Sequence, residues 1–232
     1  MPPFLEALCS AIEEAGLPVL VRPVDDGSGE REAELMRETV AGLRPEHPCL
    51  SNPVLLAENQ GKGGAVYSGW DSADDEGFAW LGFVDADGAV SPSETVRFLL
   101  EVSEHRSGDK SALFAVRVSD AGTEVKRTPL RKVLGNTFRL LVRTTFRLPV
   151  RDTQCGLKAV PAAAYREIRP KLRERRFVFD VELAARLVRS GVAVREFPIS
   201  WHESPGTRMK LSSATRMLFA LVGVRWRLTV AP

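Results

Sequence analysis

Residues 79–90 read AWLGFVDADGAV. Six apolar or glycine residues run into two aspartates, Asp85 and Asp87, with a single alanine between them. Burying a carboxylate is costly unless a positive group meets it. Either the strand ends in water, or the two acids are aimed at a cation. Alternation along the strand's end puts both carboxylates on one side. Hard oxygen ligands of this kind suit Mg²⁺ or Mn²⁺ holding substrate phosphates. The plain alternative is a solvated strand end turning at Gly88.

Other turns carry related chemistry. The stretch VLVRPV runs into Asp25 and Asp26 and then Gly27-Ser28-Gly29. An acid there can accept from a ribose hydroxyl or a base N–H, or it can close an ordinary Asx turn. NQGKGGA sets Lys62 between glycines at a helix start, where backbone N–H groups and an ammonium suit a diphosphate. The spacing of a P-loop is missing, so the signal is weak by itself. Residues 151–158, RDTQCGLK, crowd two cations, a carboxylate and an amide around Gly156, between apolar segments. WHESPGTRMK brings Arg208 and Lys210 into a loop that reads equally as a phosphate clamp or an exposed basic turn.

Helical spacing predicts helices over residues 4–15, 30–43 and 130–146, and others opening at Ser91-Pro92, in FDVELAARLVRSG and near Ser212. Strands are predicted at residues 54–57, 78–84, 112–118 and 192–201, with a short one in LPVLVRPV. Strands alternating with helices make an α/β fold with a mostly parallel sheet, whose sites lie at the strands' carboxyl ends.

The chain has 232 residues, 44% of them hydrophobic, enough to bury one substantial core. A formal net charge of +2 argues against a nucleic-acid binder. Three scattered cysteines without a CxxC pair fit a reduced chain. MPPFLEALCSAIEEAG has no basic n-region and does not read as a signal peptide. No apolar run reaches the roughly 18–20 residues of a spanning helix, so the expectation is a soluble or peripheral protein. His47, His105 and His202 have no ligand spacing, and the first two are expected at the surface.

Residues 126–151 carry Lys126, Arg127, Arg131, Lys132, Arg139, Arg143, Arg147 and Arg151 without one acid. Residues 215–230, TRMLFALVGVRWRLTV, repeat the theme with Arg216, Arg225, Trp226 and Arg227. Basic amphipathic helices with aromatics suit an anionic membrane surface, or they simply coat a core with arginines.

In order, VDDGSG, NQGKGGAVYSG, FVDADG, VRDTQCGLKAV, FVFDVELAARLVRSG and FPISWHESPGTRMK resemble the family 2 glycosyltransferases of the GT-A fold. The likeness covers nearly the whole chain. It is greatest to the dolichyl- and polyprenyl-phosphate hexose synthases, with DTQCGLK and FDVEL on the glucose rather than the mannose side. The resemblance implies helices on both faces of the sheet, a catalytic domain over residues 1–211 and a basic amphipathic helix over 212–232. It implies that Asp26, helped by Asp25, holds the nucleoside, and that residues 59–63, with Asn59, Gly61, Lys62 and Gly63, line the nucleotide pocket. Asp85 and Asp87 would form the DxD-type motif, binding Mg²⁺ or Mn²⁺ against the donor diphosphate. Arg117 and Arg131 match arginines for the lipid phosphate, Asp152 a carboxylate near the reaction centre, and Arg208 a loop closing over the donor.

The implied reaction is inverting, metal-dependent transfer of a hexose from a nucleotide sugar, UDP-glucose before GDP-mannose, to a polyprenyl or dolichyl phosphate. The implied setting is cytoplasmic and peripheral, at the inner face of an anionic membrane, with a membrane-anchored partner protein as one route to the lipid and no nucleic acid. Two departures stand out. The family opens with a strand ending in a Pro-x-x-Asn-Glu-like turn, whereas this sequence starts in the first helix, as a late start codon or truncation would leave it. Ala89 stands where relatives often carry a polar residue that assists the metal. The rival readings are a sugar-1-phosphate nucleotidyltransferase, which wants a glycine-rich N-terminal loop, and a non-catalytic relative acting as a membrane partner.

Overall fold

The computed structural model describes residues 2–73, 76–105, 110–118, 129–202 and 211–230. In chain order the elements are α1 (Pro2–Glu14), β1 (Val24–Asp25), α2 (Glu30–Leu43), β2 (Val54–Leu55), α3 (Lys62–Asp71), β3 (Trp80–Val84), α4 (Pro92–Glu104) and β4 (Ser111–Val118). They continue with α5 (Pro129–Phe146), β5 (Leu157–Pro161), α6 (Ala162–Ile168), a 3-10 turn at Arg169–Lys171, α7 (Phe179–Arg189), β6 (Ala193–Ser200) and α8 (Leu211–Val230).

The sheet is in two pieces. β1 and β2 pair in parallel, and a four-stranded sheet has the order β3-β5-β4-β6. β3 and β4 each pair antiparallel with β5, while β4 and β6 are parallel. Three of these four strands therefore share one direction and β5 alone is reversed. Among the described residues no ladder joins β1 to β3. On β3 the indole of Trp70 donates to the carbonyl of Gly82 at 2.9 Å, satisfying an acceptor on the strand.

Side-chain alternation along the sheet feeds two cores. Leu81, Phe114, Val116 and Val160 face the larger one, built with α6, α7 and the buried side of α8. Leu113, Ala115, Leu157 and Ala159 face a second one with Phe98 and Val102 of α4. Helices thus cover both faces, as expected. Leu5, Cys9, Met36, Val40 and Leu50 close a third cluster between α1, α2 and the short sheet.

Local signals explain most boundaries. Ser91 caps α4, its hydroxyl accepting from the Glu94 N–H at 3.2 Å, with Pro92 in the first turn. The stretch LPVLVRPV forms less strand than its composition suggests: a single bridge at Val21 and then Val24–Asp25, because Pro23 has no N–H to give a ladder. β5 and α6 are elements that the sequence pattern does not predict. His47 is a correction: it is buried, with Nδ1 2.9 Å from Glu13 Oε2 at the end of α1.

Candidate active site

The reversed β5 builds the site. Because it runs against β3 and β4, the segment leading into it lies beside their carboxyl ends. Val84 pairs with Leu157, and the Asp85 N–H donates to the Gly156 carbonyl at 2.8 Å. Asp85 from β3, Arg117 near the end of β4 and residues 152–158 are thereby gathered at one edge.

The cation facing Asp85 is Lys62. Its Nζ donates to Asp85 Oδ2 at 2.8 Å from the first residue of α3. Burial works against the ammonium, but Asp180 and Asp85 outweigh it and raise the Lys62 pKa. Asp87 is exposed and closes an Asx turn, Oδ1 accepting from the Ala89 N–H at 2.9 Å. Ala89 is buried, and its carbonyl accepts from the His202 N–H, tying the turn to the end of β6.

Gly156 seats Asp85. A Cβ on Gly156 would stand 2.2 Å from Asp85 Oδ2, so only glycine lets the carboxylate lie there. The Asp85 and Asp87 carboxylates offer only oxygen donors, a set that suits Mg²⁺ or Mn²⁺ with the remaining ligands coming from substrate and water. Among the described residues no third acid, histidine or cysteine joins them into a protein-only metal cage.

Arg117 and Asp152 form the other half. Arg117 donates from Nε to Oδ2 at 2.6 Å and from Nη2 to Oδ1 at 2.9 Å, and its guanidinium lies 5.4 Å from the Trp201 ring. Asp152 is 3% exposed, and burial pushes its carboxyl up. The hydrogen bonds and charge of Arg117 win, with help from Lys158 and Arg139, and hold it below the ordinary range. Asp85 in turn adds to the field that keeps Arg117 charged.

Beneath the site lies a buried pair in the middle of the sheet. Lys158, 0% exposed, pairs in register with Phe83 and with Phe114, and its Nζ is 2.8 Å from Asp180 Oδ1 of α7. It also donates to the Cys155 carbonyl. Burial raises the Asp180 carboxyl in spite of Lys158 and Lys62, and it pushes the Cys155 thiol up to about 11, so that thiol is no nucleophile at neutral pH.

The residues expected on the nucleotide side are drawn together but already partnered. Asp25 is buried and its Oδ2 accepts from the Ser28 N–H at 3.0 Å, the Asx turn. Asp26 clamps the neighbouring loop, Oδ2 accepting from Asn59 Nδ2 at 3.0 Å and Oδ1 from the Gln60 N–H at 2.8 Å. Gly61 caps α3 with φ 84°, and Gly63 is there for packing, since a Cβ on it would stand 2.5 Å from that of Phe179. Of the amides opening α3, the Gly64 N–H is taken by the Arg175 carbonyl. Arg208 lies outside the described residues, and so does the side chain of Arg131.

Sequence reasoning passed over Gly156 as a seat, Lys158 and Asp180 as a buried pair, and Arg139 as part of the field on Asp152. The polar crowding of RDTQCGLK was the available signal for the first two. Nothing in the local sequence links residue 158 to residue 180.

The family model of glycosyl transferase family 2 matches residues 2–167. The chain belongs to that family. The family 2 chain is 31% identical over 223 residues to "Dolichyl-phosphate beta-glucosyltransferase ALG5C" of Trichomonas vaginalis, covering 95% of this chain and 63% of the relative. It is 35% identical over 182 residues to "Dolichyl-phosphate beta-glucosyltransferase" of Saccharomyces cerevisiae, covering 74% of this chain and 54% of that one. It therefore spans between half and two thirds of the length of these relatives. In fold it is similar to glucosyl-3-phosphoglycerate synthase from Mycobacterium tuberculosis, with a TM-score of 0.61 at 14% identity over 96% of this chain and 75% of the other. A mycobacterial protein matches with the same TM-score at 16% identity, over 97% of this chain and 71% of that one. The family 2 chain has the GT-A fold.

Proposed function

We propose that this chain carries the catalytic unit of an inverting hexosyltransferase, moving a sugar from a nucleotide donor to a polyprenyl or dolichyl phosphate. The observation that carries the reading is the meeting, at one sheet edge, of an acidic seat at Asp85 and Asp87 with a cationic one at Arg117. A donor diphosphate and an acceptor phosphate need two such subsites side by side. Similarity to dolichyl-phosphate beta-glucosyltransferases supports glucose as the sugar and dolichyl phosphate as the acceptor; UDP-glucose is the first donor proposed and GDP-mannose the second. Residues 1–211 would form the catalytic domain.

The chemistry asks little of a base. An acceptor phosphate oxygen is already ionised at neutral pH. It forms the new bond to the anomeric carbon while the bond to the diphosphate breaks and the leaving nucleoside diphosphate takes the electron pair. Asp152, ionised and doubly bonded to Arg117, fixes that guanidinium toward the acceptor and takes no proton. Lys62 supplies positive charge where the leaving group develops negative charge. A divalent ion held by Asp85 and Asp87, Mg²⁺ or Mn²⁺, would neutralise the diphosphate further. Asp26, Asn59 and Gln60 would present the nucleoside-side loop, with Asp25 holding its turn, and Arg131 and Arg208 would add charge around the acceptor and donor.

The lipid is reached through α8. Its buried side, Leu221, Val224 and Leu228, joins the main core, yet Leu218, Phe219, Val222, Trp226 and Val230 face outward. Phe219 is 79% exposed and Trp226 64%, with Arg216 and Arg225 exposed on the same helix. Among the described residues no helix is long and apolar enough to cross a membrane. An aromatic stripe flanked by arginines suits the interface of an anionic bilayer, with a membrane-anchored partner as the other route to the lipid.

The test is a panel of radiolabelled UDP-glucose and GDP-mannose against polyprenyl phosphate, with Mn²⁺ or with EDTA. Transfer of label to lipid, lost in EDTA, is the expected result. A parallel arm adds pyrophosphate, and label released there as sugar 1-phosphate with formation of nucleoside triphosphate would replace the reading with nucleotidyl transfer.

A further inference from the structure

We propose that Lys62 is a tethered counterion that guards the Asp85 seat, so that a divalent ion binds well only together with the donor. The inference rests on Asp85 and Asp87 being the metal seat of the proposed reaction. The ammonium of Lys62 already sits 2.8 Å from Asp85 Oδ2, the oxygen that lies over Gly156. A free ion must displace it or bind beside it, and two like charges at such a distance repel strongly.

Two features besides the ion pair hold Lys62 in that place. It is the first residue of α3, after Gly61 and before Gly63, and Gly63 is packed on Phe179. Its Nζ lies 5.4 Å from the centroid of the Phe83 ring. Lys158 shares that ring at 5.1 Å but has its own counterion, Asp180, at 2.8 Å. Asp180 therefore serves Lys158 directly, and Lys62 makes its direct ion pair with Asp85.

The rest of the seat does not compensate. Asp87 is exposed, and one of its oxygens already accepts from the Ala89 N–H. With one of two carboxylates neutralised by a lysine and no third acid gathered among the described residues, the protein alone offers a divalent ion little. A nucleoside diphosphate changes the balance twice. Its oxygens are ligands for the ion, and their negative charge gives the Lys62 ammonium a second partner, freeing Asp85. Lys62 thus makes metal binding conditional on the donor, and the same ammonium ends against the leaving group.

Mn²⁺ binding followed by electron paramagnetic resonance tests this without turnover. The measurement is made on the parent, Lys62→Met, Lys62→Gln and Asp85→Ala, each with and without UDP, with circular dichroism to check folding. The parent should bind Mn²⁺ weakly alone and much more tightly with UDP. Both Lys62 variants should bind Mn²⁺ alone about tenfold more tightly than the parent, and UDP should add less to them. Equal Mn²⁺ affinity in parent and Lys62 variants without UDP, with Asp85 still required, would overturn the role of Lys62 and leave the metal seat standing. No Asp85-dependent Mn²⁺ binding in any protein, even with UDP, would remove the seat itself and this inference with it.

Discussion

Asp85 and Gly156, on neighbouring antiparallel segments, occupy one space: the carboxylate of the first lies where the side chain of the second would begin. The contact comes with the backbone bond from Asp85 N–H to the Gly156 carbonyl, so seat and strand pairing are set together. A methyl group at Gly156 must push the carboxylate off its line, since the strand pairing leaves the backbone little room to yield.

Gly156→Ala should therefore act on ligand binding before it acts on folding. The expected result is a loss of the thermal stabilisation given by UDP plus Mn²⁺, with transfer activity down at least about tenfold, the usual scale for a mispositioned ligand-holding group. Differential scanning fluorimetry with and without ligand reads it. An undiminished ligand shift would show that Asp85 is not positioned by this contact.

Asp152→Asn separates positioning from base catalysis. The amide keeps the shape but loses the charge that fixes Arg117. Turnover should fall by about ten- to a hundredfold and the acceptor KM should rise, while the pH–rate profile between pH 6 and 8 keeps its form (about the range in which a catalytic base would titrate). Loss of a titrating limb in that range would make Asp152 a base after all. Arg117→Lys should reproduce the acceptor KM effect, because a lysine cannot make the two-pronged bond.

Acid should loosen the fold through the same pair. Arg117 holds the Asp152 carboxyl below its ordinary value although burial pushes it up. A group whose folded pKa is depressed contributes stability above its unfolded pKa and loses it as pH falls through the folded one. Asp180 has the opposite sign, since burial raises its folded pKa and the native state takes up its proton earlier. The expected melting temperature is nearly level at neutral pH and drops below the ordinary carboxylate pKa of about 4, with a shallower drop in Asp152→Asn.

Breaking the buried pair should be expensive. Lys158→Met leaves Asp180 without its counterion in a site closed to water, and the expected loss of stability is about 3–5 kcal/mol by denaturant unfolding. Joining it with Asp180→Leu should restore much of that loss, since two apolar side chains can replace a desolvated ion pair. A double variant as unstable as the sum of the singles would contradict the pairing.

Phe219→Ser with Trp226→Ser should weaken sedimentation with anionic vesicles by at least about tenfold, because each ring contributes roughly 1.5–3 kcal/mol when it leaves water. Both side chains face outward, so the melting temperature should hold. Unchanged sedimentation would move the lipid contact off α8.

The sequence determined the local structure wherever neighbours along the chain carry the signal. Helical spacing placed α2 and the body of α1, Ser91-Pro92 placed the start of α4, and the apolar run into Asp85 placed the end of β3. It also marked residues 151–158 as chemistry, without saying what they do. Only the tertiary structure decided that β5 is a strand, reversed, with a lysine buried near its start, because a five-residue run holding Lys158 reads as loop until Phe83, Phe114 and Asp180 surround it. It alone decided that the cation at Asp85 is Lys62, 23 residues earlier, and that Asp152 belongs to Arg117, 35 residues earlier. A charge withdrawn from water must find its partner in space, and spacing along the chain does not encode which distant segment will bring it.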